Sequence, residues 1–358
     1  MKKFLAFAAA VVLLAACQNK NSYTITGNYS DAEDGDTIEL NILENGRTPM
    51  PIKAAVVKNG KFKLAGEVDS CQMALLMEGG RPFAQLFLEP GNITVVSDSD
   101  DVVVSGTTSN DKLKDFNKKV MEITQEYRDL AVASASGEAS DDTKAKMEAI
   151  EKAYDEMVKA SVTENTDNVF GLTNLLSSHY VFQPEELAEV LEKFSANFPG
   201  NEGVKRLVKD NSKVLATSTG KKFIDFEMTD LAGNRVKLSD FVAKNKLTLV
   251  DFWASWCGPC MQEMPNVKET YAAFKDKGFG IVGVSLDNDT LAWKNCVAKN
   301  EIPWNHMSDL KGWDSEGAAL YGVRAIPATV LIGEDGTILA RDLRGKAISE
   351  KLAELLGE

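Results

Sequence analysis

Apolar positions recur along this chain with three successive periods, and each predicts a different architecture. From about Ser22 to Ser105 the period is two. Ile38, Leu40 and Ile42 alternate with polar neighbours, Phe62 and Leu64 follow the turn pair Asn59-Gly60, and QLFLEPGNITVVSD (85–98) reads as strand, turn, strand. Short strands at this spacing predict a small antiparallel sandwich or barrel. No histidine, acidic or serine group in this stretch has catalytic spacing, so it reads as a packing or docking domain.

From about Asn110 the period lengthens to three and four. Leu113, Phe116, Val120, Ile123, Tyr127 and Leu130 form one stripe, and Met147, Ile150, Tyr154 and Met157 form another beyond the polar stretch ASGEASDD, which predicts a helical hairpin. Two or three helices follow. One opens with Pro184 in its first turn and turns Leu187, Val190, Leu191 and Phe194 inward. These stripes read as core, and His179, near the end of one such helix, reads as structural.

After ATSTGKK (216–222), a linker by composition, strands and helices alternate. Leu247 to Trp253 reads as an apolar strand, Cys257 to about Lys277 as a helix, Phe279 to Leu286 as a buried strand, and Thr290 to Asn300 as a helix. Ala328 to Ile332 and Ile338 to Leu343 are joined by an Asp335-Gly336 hairpin, and a last helix places Ile348, Leu352 and Leu355 inside. This order describes a mixed α/β sheet covered on both faces. The chain is thus expected to be multidomain, with a sandwich-like all-β domain over 17–109, a helical region and linker over 110–216, and an α/β domain over 217–358.

Length agrees, since 358 residues with 44 % apolar content supply two or three cores. The net charge of −13 excludes a nucleic-acid binder, which needs clustered Lys and Arg for phosphate, and leaves protein or small-molecule partners. Lys2 and Lys3 precede an apolar run from Phe4 to Ala16 that is too short to span a bilayer and reads as an export signal. The run ends in Leu14-Ala15-Ala16-Cys17, which resembles the lipobox of bacterial lipoproteins. That resemblance implies removal of residues 1–16 and lipidation of Cys17, each acyl methylene adding about 0.8 kcal/mol of membrane affinity; ordinary cleavage leaving a spare thiol is the alternative. QNKNS after Cys17 carries no acidic run, which leans towards retention in the periplasm. The mature chain is then a body tethered outside the cytoplasm, where thiols tend to be oxidised.

In that setting Cys257 and Cys260 are the chemically informative pair. A structural zinc site needs four ligands, and only His306 lies downstream, so neither a metal nor any other cofactor is expected. A structural disulfide across two residues closes too small a loop to stabilise much. Redox exchange remains. Cys257 follows a strand and opens a helix, where free N–H groups and the positive end of the helix dipole favour thiolate, and Cys260 sits one turn along to resolve a mixed disulfide. Pro259 suits a first helical turn because it lacks an N–H. Cys71 and Cys296, in apolar or amphipathic stretches, read as buried inert thiols, with their mutual pairing open.

Trp256-Cys257-Gly258-Pro259-Cys260, Glu263 and Pro265 in the pattern C-x-x-C-x-x-E-x-P, and Ile326-Pro327 in VRAIPATVLI together resemble the thioredoxins, and 217–358 is similar to the TlpA/ResA branch of membrane-linked thiol-disulfide oxidoreductases. The interval from GVSLDND to IPWNHMSD matches that branch's extra helix and strand. The resemblance implies a C-terminal thioredoxin fold in which Pro327 is cis and sits opposite Cys257, and the Ile326 backbone pairs with substrate as an added strand. It also implies that Asp251 relays a proton to or from Cys260, that Glu263 tunes the cysteines or reads the partner, and that Trp256, Gly258 and Pro259 line the substrate surface. Trp253 reads as core, and His306 as a partnerless strand-edge histidine. Thioredoxins pair the buried acid with a lysine on the next strand; FGIVGVSLD has none, so the pKa of Asp251 is expected to be higher still.

The leading reading is a tethered reductase of disulfides in exported proteins, apocytochromes among them by resemblance, recharged by a membrane thiol electron donor. The Gly-Pro dipeptide supports this direction, being that of thioredoxin at about −270 mV, against about −120 mV for a strong disulfide oxidant. A thiol peroxidase of the neighbouring AhpC/TSA type is an alternative, although Ala254 stands where its threonine is expected. A non-enzymatic envelope-binding protein with a redox-controlled domain is another.

Overall fold

In the first strand, β1 (Ser22–Tyr29), alternate residues from Tyr23 onward are buried, and the period of two becomes a face. The computed structural model describes residues 21–30, 32–44, 48–98, 101–134 and 141–357, grouped in two units that divide between Val181 and Phe182. The expected signal peptide and Cys17 lie outside the described residues. Among the described residues no helix is long and apolar enough to cross a membrane.

The first unit continues with β2 (Thr37–Glu44), β3 (Thr48–Val56), β4 (Lys61–Glu67), β5 (Gln72–Glu78), β6 (Arg81–Leu88), β7 (Gly91–Asp98) and β8 (Asp101–Ser105). They form two four-stranded sheets, β4-β1-β7-β8 and β3-β2-β5-β6, around a shared core that includes Ile25, Ile38, Leu40, Leu64, Leu76, Leu86 and Ile93. The expected sandwich is present with one departure, because β1 and β7 pair in parallel. Gly27 faces Phe62 across β1 and β4, and a Cβ there would lie 1.9 Å from the ring, so only glycine lets the ring lie on the strand. Helices α1 (Thr108–Ala133), α2 (Asp141–Thr163) and α3 (Val169–Ser178) follow. The Tyr127 hydroxyl donates to Glu151 at 3.0 Å, joining α1 to α2 as a hairpin.

The second unit opens with α4 (Pro184–Asn197), whose capping box joins Gln183 and Glu186, and α5 (Glu202–Ala216). Leu187, Val190, Leu191 and Phe194 are buried as expected. Next come β9 (Glu227–Asp230), β10 (Arg235–Lys237), α6 (Ser239–Val242), β11 (Leu247–Trp253), α7 (Gly258–Phe274), β12 (Phe279–Ser285), α8 (Thr290–Lys299), β13 (Asn305–Ser308), α9 (Glu316–Leu320), β14 (Ala328–Gly333), β15 (Ile338–Arg341) and α10 (Lys346–Leu356). The sheet order is β10-β9-β13-β12-β11-β14-β15, with β11, β12 and β13 parallel and β14 antiparallel to β11. Every residue of β11, β12 and β14 is buried, the mark of a sheet covered on both faces.

The stretch expected as one helical region is divided: α1 to α3 fall with the sandwich, α4 and α5 with the α/β sheet. Arg341 of β15 donates to the carbonyls of Thr217 (2.9 Å) and Tyr321 (2.8 Å), and Arg324 pairs with Asp210 on α5. Leu355, expected inside, is 38 % exposed, whereas Ile348 and Leu352 are buried; α10 presents a narrower stripe than its apolar residues suggest. His306 corrects the strand-edge expectation, since β13 lies inside the sheet between β12 and β9.

Within the first unit, Asn110 joins helix to sheet. Its side chain accepts from the Phe87 N–H and donates to the Phe87 carbonyl and the Thr107 hydroxyl, each at 2.8 Å, and it is fully buried. Removing it orphans both backbone groups of Phe87. Asn110→Ala is therefore expected to destabilise the sandwich and α1 by about 3 kcal/mol, read as a lower urea midpoint.

Candidate active site

β11 is an apolar strand with one carboxylate, Asp251, buried in its interior. At its end the chain turns through Ala254, Ser255 and Trp256, and Cys257 becomes the residue that caps α7. Asp287, beyond the end of β12, holds that turn. Its buried carboxylate accepts from the Ser255 N–H (3.1 Å), the Ser255 hydroxyl and the Ser285 hydroxyl (2.7 Å). Sequence reasoning missed Asp287. The available signal was an acid directly after a buried strand, where a charge needs partners.

Cys257 and Cys260 are disulfide-bonded, with sulfurs 2.02 Å and Cα atoms 5.3 Å apart. The Cys260 N–H donates to the Cys257 sulfur at 3.1 Å, so the helix start directs an unpaired donor at the atom that bears charge in a thiolate. The helix begins at Gly258, one residue later than the pattern suggested, and ends at Phe274, with Lys275–Lys277 as a 3₁₀ turn. Ile326-Pro327 is cis, and the Ile326 carbonyl oxygen lies 3.7 Å from the Cys257 sulfur. Arg344 donates to the Pro327 carbonyl at 2.7 Å and fixes the far side of that loop. Trp256, Gly258 and Pro259 are exposed around the buried disulfide, Ile326 is half-buried and Pro327 buried.

Burial, and secondarily the charge of Glu263, pushes Asp251 up to about 7. The sheet explains why nothing opposes this. Asp251 is flanked in register by Thr329 on β14 and Gly283 on β12, and the next position across is His306 on β13. A Cβ on Gly283 would lie 2.4 Å from His306 Nδ1, so the imidazole occupies the space a side chain at 283 would need. Burial pushes the His306 pKa down to about 3, which keeps the ring neutral. No cation stands in this row of the sheet.

Glu263 is not on a free helix face. Its carboxylate accepts from the Gly345 N–H (2.7 Å) and the Asn266 amide (2.9 Å), while Asn266 also donates to the Gly345 carbonyl (3.0 Å). Glu263 thus ties α7 to the cap of α10 while adding negative charge beside Asp251. Trp253 is buried in the core, its ring against His306. Cys71 and Cys296 are free and half-buried. Burial, then Glu89, pushes the Cys71 thiol up to about 12, and burial also raises Cys296, so both are poor nucleophiles.

A dithiol at the first turn of a helix, facing a cis-proline loop across an α/β sheet, defines the thioredoxin-fold class. The chain matches the AhpC/TSA family over residues 219–341 and, over 23–113, a domain of unknown function (DUF4369). The thiol-disulfide oxidoreductase ResA of Bacillus cereus is 34 % identical over 145 residues, 40 % of this chain and 80 % of that protein. Its counterpart in Bacillus thuringiensis is 35 % identical over 137 residues, 38 % of this chain and 76 % of that one. Among solved structures, the thioredoxin domain of a thiol-disulfide oxidoreductase from Bacteroides vulgatus is 35 % identical, covering 39 % of this chain and 98 % of that chain with a TM-score of 0.36. The chain belongs to the thiol-disulfide oxidoreductases of the ResA type.

Asp251 sets a pH dependence with a definite sign. In the unfolded chain it ionises near 3.8, in the folded protein near 7. Between those values the folded state binds more protons, so the Asp251 contribution lowers stability as pH rises from about 4 to about 7, by on the order of 4 kcal/mol in total. Asp251→Asn is expected to flatten that fall in denaturant titrations across the window, and carbon NMR of the wild type to give a carboxyl midpoint near 7.

Proposed function

We propose that this protein is a membrane-tethered reductase that opens disulfides in exported proteins through the Cys257–Cys260 dithiol, held outside the cytoplasm by lipid on Cys17. The observation that carries the reading is the Cys257 sulfur, which receives the Cys260 N–H on one side and lies against the Ile326 carbonyl on the other.

In the reduced protein, Cys257 attacks as thiolate one sulfur of the substrate disulfide. A Cys257–substrate disulfide forms, and the other substrate sulfur leaves as thiolate and takes a proton from water. The Ile326 backbone pairs with the substrate strand while Trp256, Gly258, Pro259 and Pro327 bound the contact surface. Asp251, with a pKa near the working pH, then accepts the Cys260 proton. The Cys260 thiolate attacks the Cys257 sulfur, the second substrate thiolate leaves, and two electrons have passed to the substrate. A membrane thiol donor reverses these steps to restore the dithiol. Burial, and secondarily the negative charge of Glu263, keeps Asp251 basic enough to take the proton.

The mature wild-type chain is expected to reduce insulin with a dithiol donor, and Cys257→Ala to fall to the uncatalysed rate. Cys260→Ser is expected to accumulate mixed disulfides in cells, identifiable by mass spectrometry as exported substrates on one side and a membrane donor on the other. Cys17→Ala is expected to move the protein from the membrane to the soluble fraction. Full insulin reduction by Cys257→Ala sinks the redox reading; unchanged fractionation of Cys17→Ala sinks the anchor alone.

A further inference from the structure

Because β11, β12 and β13 run parallel, the loops leaving their C-terminal ends meet at one edge of the sheet, the edge that carries the disulfide. Two of these loops bring tryptophans together there. Trp256, which precedes Cys257, and Trp313, in the turn after β13, have ring centroids 6.1 Å apart with planes at 56°. They remain 52 % and 51 % exposed. Indole rings are among the largest apolar groups a chain can bury, so a pair kept half in water is a feature to be accounted for.

The turn that carries Trp313 is well fixed. The Ser308 hydroxyl donates to the Ser285 carbonyl (2.9 Å) and accepts from the Leu310 N–H (3.1 Å). The Asp309 carboxylate accepts from the Glu316 N–H at 2.8 Å and the Lys311 N–H at 3.3 Å, bracketing Trp313 from both sides. Trp256 is held through Ser255 by Asp287. Both rings are therefore presented by rigid supports, which lowers the entropy lost when something packs on them. Trp256 directly precedes Cys257, so a polypeptide that brings a disulfide to that sulfur passes this pair, and Asp309, Asp314 and Glu316 outnumber Lys311, the one cation in that turn, leaving the flank net negative.

We propose that Trp313, acting with Trp256, is a specificity-determining residue that receives an apolar side chain adjacent to the substrate cysteine and disfavours an acidic one. This deepens, and rests on, the proposed reduction of polypeptide disulfides. Trp313 was not singled out by sequence reasoning, and it lies 57 positions from Trp256 in the chain.

The test uses the full mature chain, reduced, with two synthetic disulfide-bonded peptides identical except for Leu or Asp beside the attacked cysteine. Wild type is expected to favour the Leu peptide roughly threefold to tenfold, mainly in KM, the range that aromatic contacts supply. Trp313→Ala is expected to level the preference by raising KM for the Leu peptide, and Trp313→Phe to keep most of it, which separates loss of the ring from loss of the turn. Equal use of both peptides by wild type, or an undiminished preference in Trp313→Ala, overturns the inference while leaving the reductase reading in place. Failure of wild type to exchange with either peptide removes the reductase reading and the inference with it.

Discussion

A helix start leaves backbone N–H groups without partners, and here one of them is satisfied by sulfur. The turn ahead of that sulfur and the loop opposite it are arranged around that pairing. For Cys257 to cap α7, β11 must end at Trp253 and the chain must turn within three residues, which is why Ser255 is gripped by the buried carboxylate of Asp287. The loop ahead of β14 approaches the capping sulfur, and Ile326, Pro327 and Arg344 together hold that approach. The position of the capping sulfur is thus defined by backbone, with side chains acting as braces.

The same sheet sets the electrostatics. A carboxylate inside an all-buried strand is costly, and a cation would relieve the cost. In this protein the neighbouring strand offers Gly283, and the imidazole that leans over it is itself held neutral by burial. Asp251 is left as a carboxyl that holds its proton far more tightly than usual and exchanges it near neutral pH. Glu263 serves two ends: its hydrogen bonds dock α10 against α7, and its charge acts on Asp251. A change at Glu263 therefore mixes a packing effect with an electrostatic one, and the glutamine variant, whose amide oxygen replaces the carboxylate acceptor without its charge, begins to separate them.

Much of this was legible in the residues because period reports which face is buried. The alternation at Ile38, Leu40 and Ile42 and the stripe from Leu187 to Phe194 translate directly into faces, and the cysteine pair with its flanking tryptophan and proline marks a helix start. Period does not report which neighbour a strand chooses, so the parallel pairing of β1 with β7 and the interior position of His306 emerge only in three dimensions. Nor does it reach contacts between distant polar groups. Asp287 on Ser255, Glu263 on Gly345 and Trp313 on Trp256 join residues 32, 82 and 57 positions apart. The functional detail missed by inspection is concentrated in loops, where hydrophobic periodicity carries no information.

The arginine of β15 bears on where the redox portion can be cut. Its guanidinium ends on the Thr217 carbonyl, and Gly322 packs so closely on α5 that a Cβ there would lie 2.5 Å from Val214. A fragment trimmed to the edge of the family match at residue 219 discards these neighbours and leaves the Arg341 charge half-buried with one carbonyl fewer. The compact unit begins at Phe182, just ahead of the α4 cap, so the two helices that look like a spacer pack with the thioredoxin-fold sheet.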